Sequence, residues 1–155
     1  MAGGKKSQLE QLLADLAGWI GVDLLAPDAN GVRALRFDDR HVVGMRQGDN
    51  ADELWLFCDL GAVQPAGAPL QRLMQANLFW RESLGATFSL TQDEPPHVVM
   101  AVAIHWRDET TGTLAGRLAT FVAAIDSGLS MLAASSSSQE AIPLPSGMPN
   151  WLDRA

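Results

Sequence analysis

The chain has 155 residues, of which 47% are apolar and 19% charged, and its formal net charge is −7. This size and balance are typical of one globular domain and exclude a chain of several large domains. The 11 lysines and arginines are scattered, so no basic stripe is available to bind nucleic acid, and an acidic chain is repelled by anionic membranes. The charged fraction lies below the usual value of about 25%, which indicates that part of the surface meets a partner.

The sequence favours a location in the cytoplasm. Charged Glu10 and Asp15 interrupt the apolar segment near the N-terminus, which a signal peptide would keep unbroken. The longest unbroken apolar run, residues 98–104, is far shorter than the roughly 20 residues that cross a bilayer. The single Cys58 cannot form an internal disulfide, which is compatible with a reducing compartment. We therefore expect a cytoplasmic protein without membrane insertion.

Apolar residues at helical spacing predict three helices. The first is predicted over residues 7–20, where Ser7 is a candidate N-cap and Glu10 completes a capping box. Gly21 is the expected end of this helix. The second helix is expected over residues 68–83, and the third from a cap at Thr110 or Thr111 to Leu132.

Alternating and continuous apolar segments predict five strands, over residues 32–37, 41–47, 53–60, 86–91 and 97–105. The first two form a hairpin with a polar tip. The order helix, strands, helix, strands, helix indicates an α+β fold with a largely antiparallel, twisted sheet packed with three helices. Two strands, 53–60 and 97–105, are apolar on both faces, so the sheet face that the helices leave open needs another cover.

No group of residues in the sequence points to catalysis or to a metal. The chain has three histidines, His41, His97 and His105. Their spacing does not put two metal ligands on one helical face, and Asp38 and Asp39 beside His41 are typical of solvated charges at a hairpin tip. Cys58 lies inside an apolar strand pattern without a signal for thiolate activation. We expect no enzymatic activity, no metal and no cofactor, and we favour a protein-binding module.

Two segments carry the most specific patterns. One is the hairpin N-G-V-x-A-L-x-F-D-D at residues 30–39, and the other is the helix L-M-Q-A-N-L-F-W at residues 73–80, followed by Gly85-Ala86-Thr87. LEQLLADLAGWIGVDLL precedes the hairpin, DELWLFCDLGAV lies between the two, and LAGRLATFVAAID follows them, so the pattern spans about residues 8–130. In this order the segments resemble the class I chaperones of bacterial type III secretion, the Tir chaperone (CesT) family.

This resemblance implies a homodimeric, non-catalytic chaperone linked to virulence. Such a chaperone binds the extended N-terminal segment of a secreted effector, keeps it soluble and secretion-competent, and delivers it to the secretion apparatus. An extended segment can add a strand to a sheet edge while its side chains enter apolar grooves. Two alternatives stay open: a regulatory or sensory domain of similar fold that acts on a folded partner, and an enzyme.

The resemblance also assigns candidate surfaces. Its dimer helix corresponds to the second predicted helix, and the interface candidates are Leu70, Leu73, Met74, Asn77, Leu78 and Trp80. Alternatively, Leu73 and Leu78 cover the sheet. The effector grooves correspond to the first helix and the sheet, with the candidates Leu9, Leu12, Leu16, Trp19, Ile20, Val43, Met45, Trp55 and Phe57. Some of these belong to the core, because alternation alone does not tell which strand face is solvated.

The end of the chain departs from the family pattern. The resemblance covers a domain over residues 1–134, whereas residues 135–155 are rich in serine and proline and lose all periodicity, which is typical of a flexible tail. Three roles stay open for this tail: a solvated appendage, a peptide that occupies the effector groove through Trp151 and Leu152, or a contact for the secretion machinery.

Overall fold

The computed structural model describes residues 3–24, 26–37, 40–64 and 67–134, with side chains from Gln8 onward. Its helices are α1 Gly3–Ile20, α2 Ala68–Ala76 and α3 Thr111–Ala134. Its strands are β1 Arg33–Phe37, β2 His41–Gln47, β3 Glu53–Ala62, β4 Thr87–Leu90 and β5 His97–His105. The α+β class and the predicted order of elements are confirmed.

The five strands form one sheet in the order β1-β2-β3-β5-β4. β1 pairs antiparallel with β2, with Leu35 opposite Val43, and β4 pairs antiparallel with β5, with Phe88 opposite Met100. Within the chain, two compact units can be distinguished. Unit 1 comprises Met1–Leu56 and Ala103–Thr120, and unit 2 comprises Phe57–Val102 and Phe121–Ala155.

Unit 1 buries one side of the β1–β2 hairpin. Leu35 and Val43, which lie opposite each other, are fully buried. Arg33 lies on the same side of β1 as Leu35 and forms an ion pair with Glu10, so α1 covers this side of the hairpin. The core of the unit is completed by apolar residues of α1, β2, β3 and the first half of α3: Leu9, Leu13, Leu16, Met45, Leu54, Leu56, Leu114 and Leu118.

The first helix begins earlier than the capping pattern predicts. It starts at Gly3, so Ser7 lies inside the helix and the predicted capping box is wrong. The Glu10 carboxylate pairs with Arg33 of the neighbouring strand. The predicted end is confirmed, because Gly21 has a φ of +70° and the Val22 N–H donates to the Ala17 carbonyl at 3.1 Å, the bond that closes a Schellman-type helix end.

The turn between β2 and β3 is held by the short 3₁₀ turn Trp106–Asp108, which the sequence analysis did not predict. The buried Trp106 donates its indole N–H to the Ala51 carbonyl at 2.9 Å and its backbone N–H to the Asp52 carbonyl at 3.1 Å. Arg107 lies over the Trp106 ring, 4.7 Å from the ring centre, and forms an ion pair with Asp52. The β2–β3 hairpin is therefore held by these contacts at its turn as well as by the pairing of its strands.

In unit 2, α2 ends seven residues before the predicted boundary, at Ala76 instead of Ser83. Phe79 and Trp80 have φ values of +56° and +53°, in the left-handed region that bulky residues rarely adopt. The helical spacing of apolar residues continues past Asn77, but its side chain binds strand β4 and the chain leaves the helix there.

The third helix begins as predicted. The Thr110 hydroxyl accepts the Thr113 backbone N–H at 3.2 Å, which confirms Thr110 as the N-cap. By length and composition α3 could cross a membrane, and 28% of its most apolar window is buried. Leu114 and Leu118 are core residues of unit 1, and Phe121 and Ile125 are core residues of unit 2, a spacing that is typical of one buried side of a helix.

The predicted tail, residues 135–155, lies outside the described residues, and so do Asp38 and Asp39 of the predicted hairpin tip. The division of the chain into a domain and a tail stays a prediction.

Two glycines of α3 provide a matched test of packing in unit 2. A Cβ at Gly128 would lie 2.8 Å from Cε1 of Phe88 and 3.0 Å from Cδ1 of Leu60, whereas a Cβ at Gly116 meets nothing within 4 Å. We expect Gly128→Ala to lower the free energy of unfolding by about 1–3 kcal/mol through overpacking. Gly116→Ala should raise it by about 0.5–1 kcal/mol. Urea unfolding measures both, and equal effects of the two changes would contradict the packing at Gly128.

Candidate protein-binding surfaces

Both units expose large apolar side chains. In unit 1 these are Trp19, Val42 and Trp55, and in unit 2 they are Met74, Leu78, Phe79, Trp80, Leu84 and Leu90. A single exposed apolar residue is ordinary in a soluble protein, but a cluster of them is typical of a surface that binds another molecule.

We call the unit 2 cluster the apolar turn; it consists of Met74, Leu78, Phe79, Trp80 and Leu84. Phe79 is the most exposed of its members, at 75%. Phe79, Trp80 and Leu84 all have φ values between +53° and +56°. A left-handed backbone costs a bulky residue about 1–3 kcal/mol, so it persists only where other contacts fix it.

Asn77 supplies the main contact that fixes this turn. Its side-chain amide donates to the Phe88 carbonyl at 3.0 Å and accepts the Phe88 N–H at 2.8 Å. The Trp80 indole N–H donates to the Thr87 hydroxyl at 3.0 Å, and the Gly85 N–H donates to the Trp80 carbonyl at 3.0 Å. Because β4 lies at the end of the sheet, Asn77 also occupies backbone groups of an edge strand that another strand would otherwise pair with.

The predicted dimer residues differ in exposure. Met74, Leu78 and Trp80 are exposed, so Leu78 does not serve as a cover of the sheet. Leu73 is buried in the core of unit 2, and the Asn77 amide is occupied by Phe88. Leu70 is half-buried.

The predicted effector-binding residues divide in the same way. Leu12 and Ile20 are half-buried, while Trp19 and Trp55 are exposed at 70% and 40%. Five others are core residues that offer no surface to a partner in this structure: Leu9, Leu16, Val43, Met45 and Phe57. Trp19 and Trp55 are therefore the most exposed residues of the predicted effector surface.

The sequence analysis missed three side chains on the exposed side of the sheet in unit 1, Arg36, Val42 and Arg46, whereas it predicted Trp55 on the same side. Arg36 lies opposite Val42 in the β1–β2 pairing, on the side away from the buried Leu35 and Val43. The Gly48 N–H donates to the Glu53 carbonyl at 2.9 Å, and counting along β2 and β3 from this bond puts Arg46 opposite Trp55. We call the side chains of Arg36, Val42, Arg46 and Trp55 the open face. Alternation along a strand left open which of its two faces is exposed.

Three titratable side chains, Cys58, Asp59 and His97, lie in strands β3 and β5. Nδ1 of His97 lies 2.8 and 3.0 Å from the two carboxylate oxygens of Asp59. Burial, together with the neighbouring Asp59 carboxylate, raises the pKa of the Cys58 thiol to about 12, so Cys58 stays protonated at neutral pH and is a poor nucleophile. The described residues contain no group of three or more His, Cys, Asp or Glu side chains that could hold a metal ion.

Comparison with known protein families decides the identity of this domain. A model of the Tir chaperone protein (CesT) family matches residues 11–127, which is most of the chain. The chain belongs to this family. No curated protein matches it.

Three solved structures are similar in fold to this CesT-family chain. The Yersinia pestis type III secretion chaperone SycH, in complex with a stable fragment of YscM2, is 21% identical with a TM-score of 0.60, over 78% of this chain and 97% of that one. The ExsC–ExsE complex is 22% identical with a TM-score of 0.68, over 85% and 97%. The HopA1–SchA chaperone–effector complex is 16% identical with a TM-score of 0.64, over 79% and 93%. The secretion-chaperone fold that the resemblance implies is therefore confirmed.

The Asn77 contact can be tested by removing the amide. Asn77→Ala leaves the Phe88 N–H and carbonyl without their partners, so we expect the free energy of unfolding to fall by about 1–3 kcal/mol. Amide hydrogen exchange at Phe88 should become faster. Gln75→Ala, at an exposed position of α2, serves as the control and should change neither quantity. Unchanged exchange at Phe88 in the Asn77 variant would refute the contact.

Proposed function

We propose that this chain is a dimeric, non-catalytic type III secretion chaperone that binds the extended N-terminal segment of an effector and delivers it to the secretion apparatus. The family match over residues 11–127 carries the proposal. Family membership favours this function over the regulatory domain considered as its alternative. The proposed location is the bacterial cytoplasm, where the effector is held before secretion.

The exposed apolar surface supports a partner without a stable fold of its own. Ordering an extended segment costs on the order of 2–5 kcal/mol, which apolar contact has to offset. Trp19 on α1 and Trp55 on β3 offer this kind of contact. At one edge of the sheet, Leu24 forms an antiparallel bridge with Leu35 of β1, and at the other edge Asn77 binds β4. Because these edge positions are already occupied, we expect an effector segment to bind there through side-chain contacts rather than by adding a long strand.

The apolar turn is the surface that we assign to a second copy of the chain. An isologous contact pairs one patch with itself, so an exposed apolar patch near the two-fold axis covers its equivalent. Met74, Leu78 and Phe79 are each more than 60% exposed, which leaves most of their apolar area for such a contact. The Arg72–Glu82 ion pair at 3.0 Å lies in the same part of unit 2 and supplies a polar rim.

The function is tested by co-expressing the protein with the product of the neighbouring gene and measuring the mass of the purified complex by light scattering. Two copies of this chain with one effector segment are the expected result. A monomer that retains no cargo from any secretion-linked neighbour would overturn the proposal.

Two substitutions on α1 separate cargo binding from folding. Trp19 is 70% exposed, so Trp19→Ala should leave the free energy of unfolding within about 0.5 kcal/mol of wild type and weaken cargo binding at least about tenfold. Leu16 is 1% exposed, so Leu16→Asp should unfold the protein because it buries a charge without a partner. Urea unfolding and cargo titration measure the two effects. If Trp19→Ala binds cargo with wild-type affinity, Trp19 is not part of the effector surface.

The proposed dimer surface is tested by a charge in the apolar turn. Leu78 is 66% exposed, so Leu78→Asp should spare folding but yield monomers, since two carboxylates would face each other across a desolvated contact. Gln75→Asp puts the same charge on an exposed position of α2 outside the apolar turn and should leave the dimer intact. Sedimentation velocity gives both masses. A stable Leu78→Asp dimer would contradict this placement.

A further inference from the structure

A groove lies between α2 and the last turns of α3, within unit 2. Its volume is about 360 Å³, which is in the range of clefts that hold a ligand. Its residues on α2 are three or four positions apart, so they share one face of the helix. We call this cleft the α2–α3 groove; it is lined by Ala68, Gln71, Arg72 and Gln75 of α2 and by Met131 and Ala134 of α3.

The lining of the groove combines hydrogen-bond donors with apolar contacts. Gln71 and Arg72 are exposed, and both carry side-chain N–H groups. Arg72 uses Nη2 in its 3.0 Å pair with Glu82, and a guanidinium has several other N–H groups that can donate to a ligand. Met131 is half-buried and adds apolar surface. The groove therefore suits a ligand that presents carbonyl oxygens and apolar side chains and has few N–H groups of its own.

The chain carries such a segment within reach of the groove. Ala134 lines the groove and is the last residue that the structure describes, so the chain continues from the groove itself. Residues 141–145, Ala-Ile-Pro-Leu-Pro, follow after six intervening residues, which span up to about 20 Å when extended. The groove face of α2, from Ala68 to Gln75, is about 10 Å long at about 1.5 Å per residue. The segment can therefore reach the whole groove.

The sequence of this segment favours a polyproline II conformation. Ile142 and Leu144 each precede a proline, which disfavours a helical backbone at both positions. Polyproline II has about three residues per turn, so Ala141 and Leu144 lie on one edge. Ile142 and Pro145 lie on the next edge, and both edges are apolar. Because Pro143 and Pro145 have no N–H, the segment offers mainly carbonyl oxygens and apolar side chains, and its restricted backbone has little entropy to lose on binding.

We propose that residues 141–145 occupy the α2–α3 groove of their own chain. Ile142 and Leu144 pack against Met131, while Gln71 and Arg72 donate hydrogen bonds to carbonyl oxygens of the segment. A short linker gives an effective concentration of about 1 mM, so an intrinsic Kd of about 0.1–0.3 mM keeps the groove filled about three to ten times as often as empty. No effector takes part, so this contact is independent of the proposed function.

The proposal is tested in the full chain by alkylating a thiol placed in the groove. Gln75→Cys introduces the thiol, whereas Cys58 is buried and burial raises its pKa to about 12, so it reacts little with iodoacetamide at neutral pH. Adding Ile142→Ser and Leu144→Ser should speed alkylation of the introduced thiol about three- to tenfold, because the segment no longer covers it. Trp151→Ser and Leu152→Ser, which remove two large apolar residues outside the segment, should leave the rate unchanged.

A second thiol controls for effects that do not arise in the groove. Gln11→Cys lies at an exposed position of α1 in unit 1 and should react equally fast with either pair of substitutions. If Ile142→Ser and Leu144→Ser do not change the rate at Gln75→Cys, the proposal fails: a fast rate means that the groove is open, and a slow rate means that something else covers it. A larger effect of Trp151→Ser and Leu152→Ser would also overturn the choice of segment.

Mixed dimers separate docking within one chain from docking between two copies. The Gln75→Cys chain that carries Ile142→Ser and Leu144→Ser is refolded from urea with an excess of wild-type chain at about 10 µM, far below the Kd needed for docking between free molecules. Alkylation of the introduced thiol should stay fast. If the wild-type chain restores the slow rate, the segment of a second copy fills the groove, and the proposal of docking within the chain is wrong.

Discussion

The register of the β1–β2 hairpin decides which residues of unit 1 are core and which are surface. Leu35 opposite Val43 turns one side of the hairpin towards α1, and Arg36 opposite Val42 turns the other side outward. A slip of one residue would exchange these two sides and bury an arginine in place of leucine. The burial of Leu35 and Val43 under α1 and the exposure of Arg36 on the other side therefore follow from the same register.

Most elements were predictable because local patterns agree with the fold. Strands 41–47 and 97–105 were predicted with the observed bounds, since Gly, Asn, Asp and Pro flank them. The end of α2 was not, because Leu78 and Trp80 continue the helical spacing and only the long-range contact of Asn77 with Phe88 interrupts it. The capping box was wrong because the helix already begins at Gly3, and the pairing of Glu10 with Arg33 of a distant strand is a contact that no local pattern reveals.

For the predicted binding residues too, some properties follow from the local sequence and others only from the tertiary structure. Residue type identified Val43, Met45 and Trp55 as large apolar side chains, but only strand pairing tells that the first two lie in the core. Val42 was overlooked although it is adjacent in sequence. A low charged fraction and strands that are apolar on both faces predict that a domain binds a partner. Which residues do so depends on the direction of each side chain, and alternation leaves two possible directions open.

The surfaces of the two units suit different demands. In unit 2, a left-handed backbone at Phe79, Trp80 and Leu84 holds bulky side chains outward at a local energetic cost, and Asn77 stabilises this shape through Phe88. A surface of fixed shape favours a folded partner, such as the second copy of the chain that we propose binds there. In unit 1, Arg36 of β1 lies opposite the exposed Val42 of β2. Apolar contact is non-directional and accepts many sequences, while charges select the register in which an extended chain lies, so an effector surface needs both.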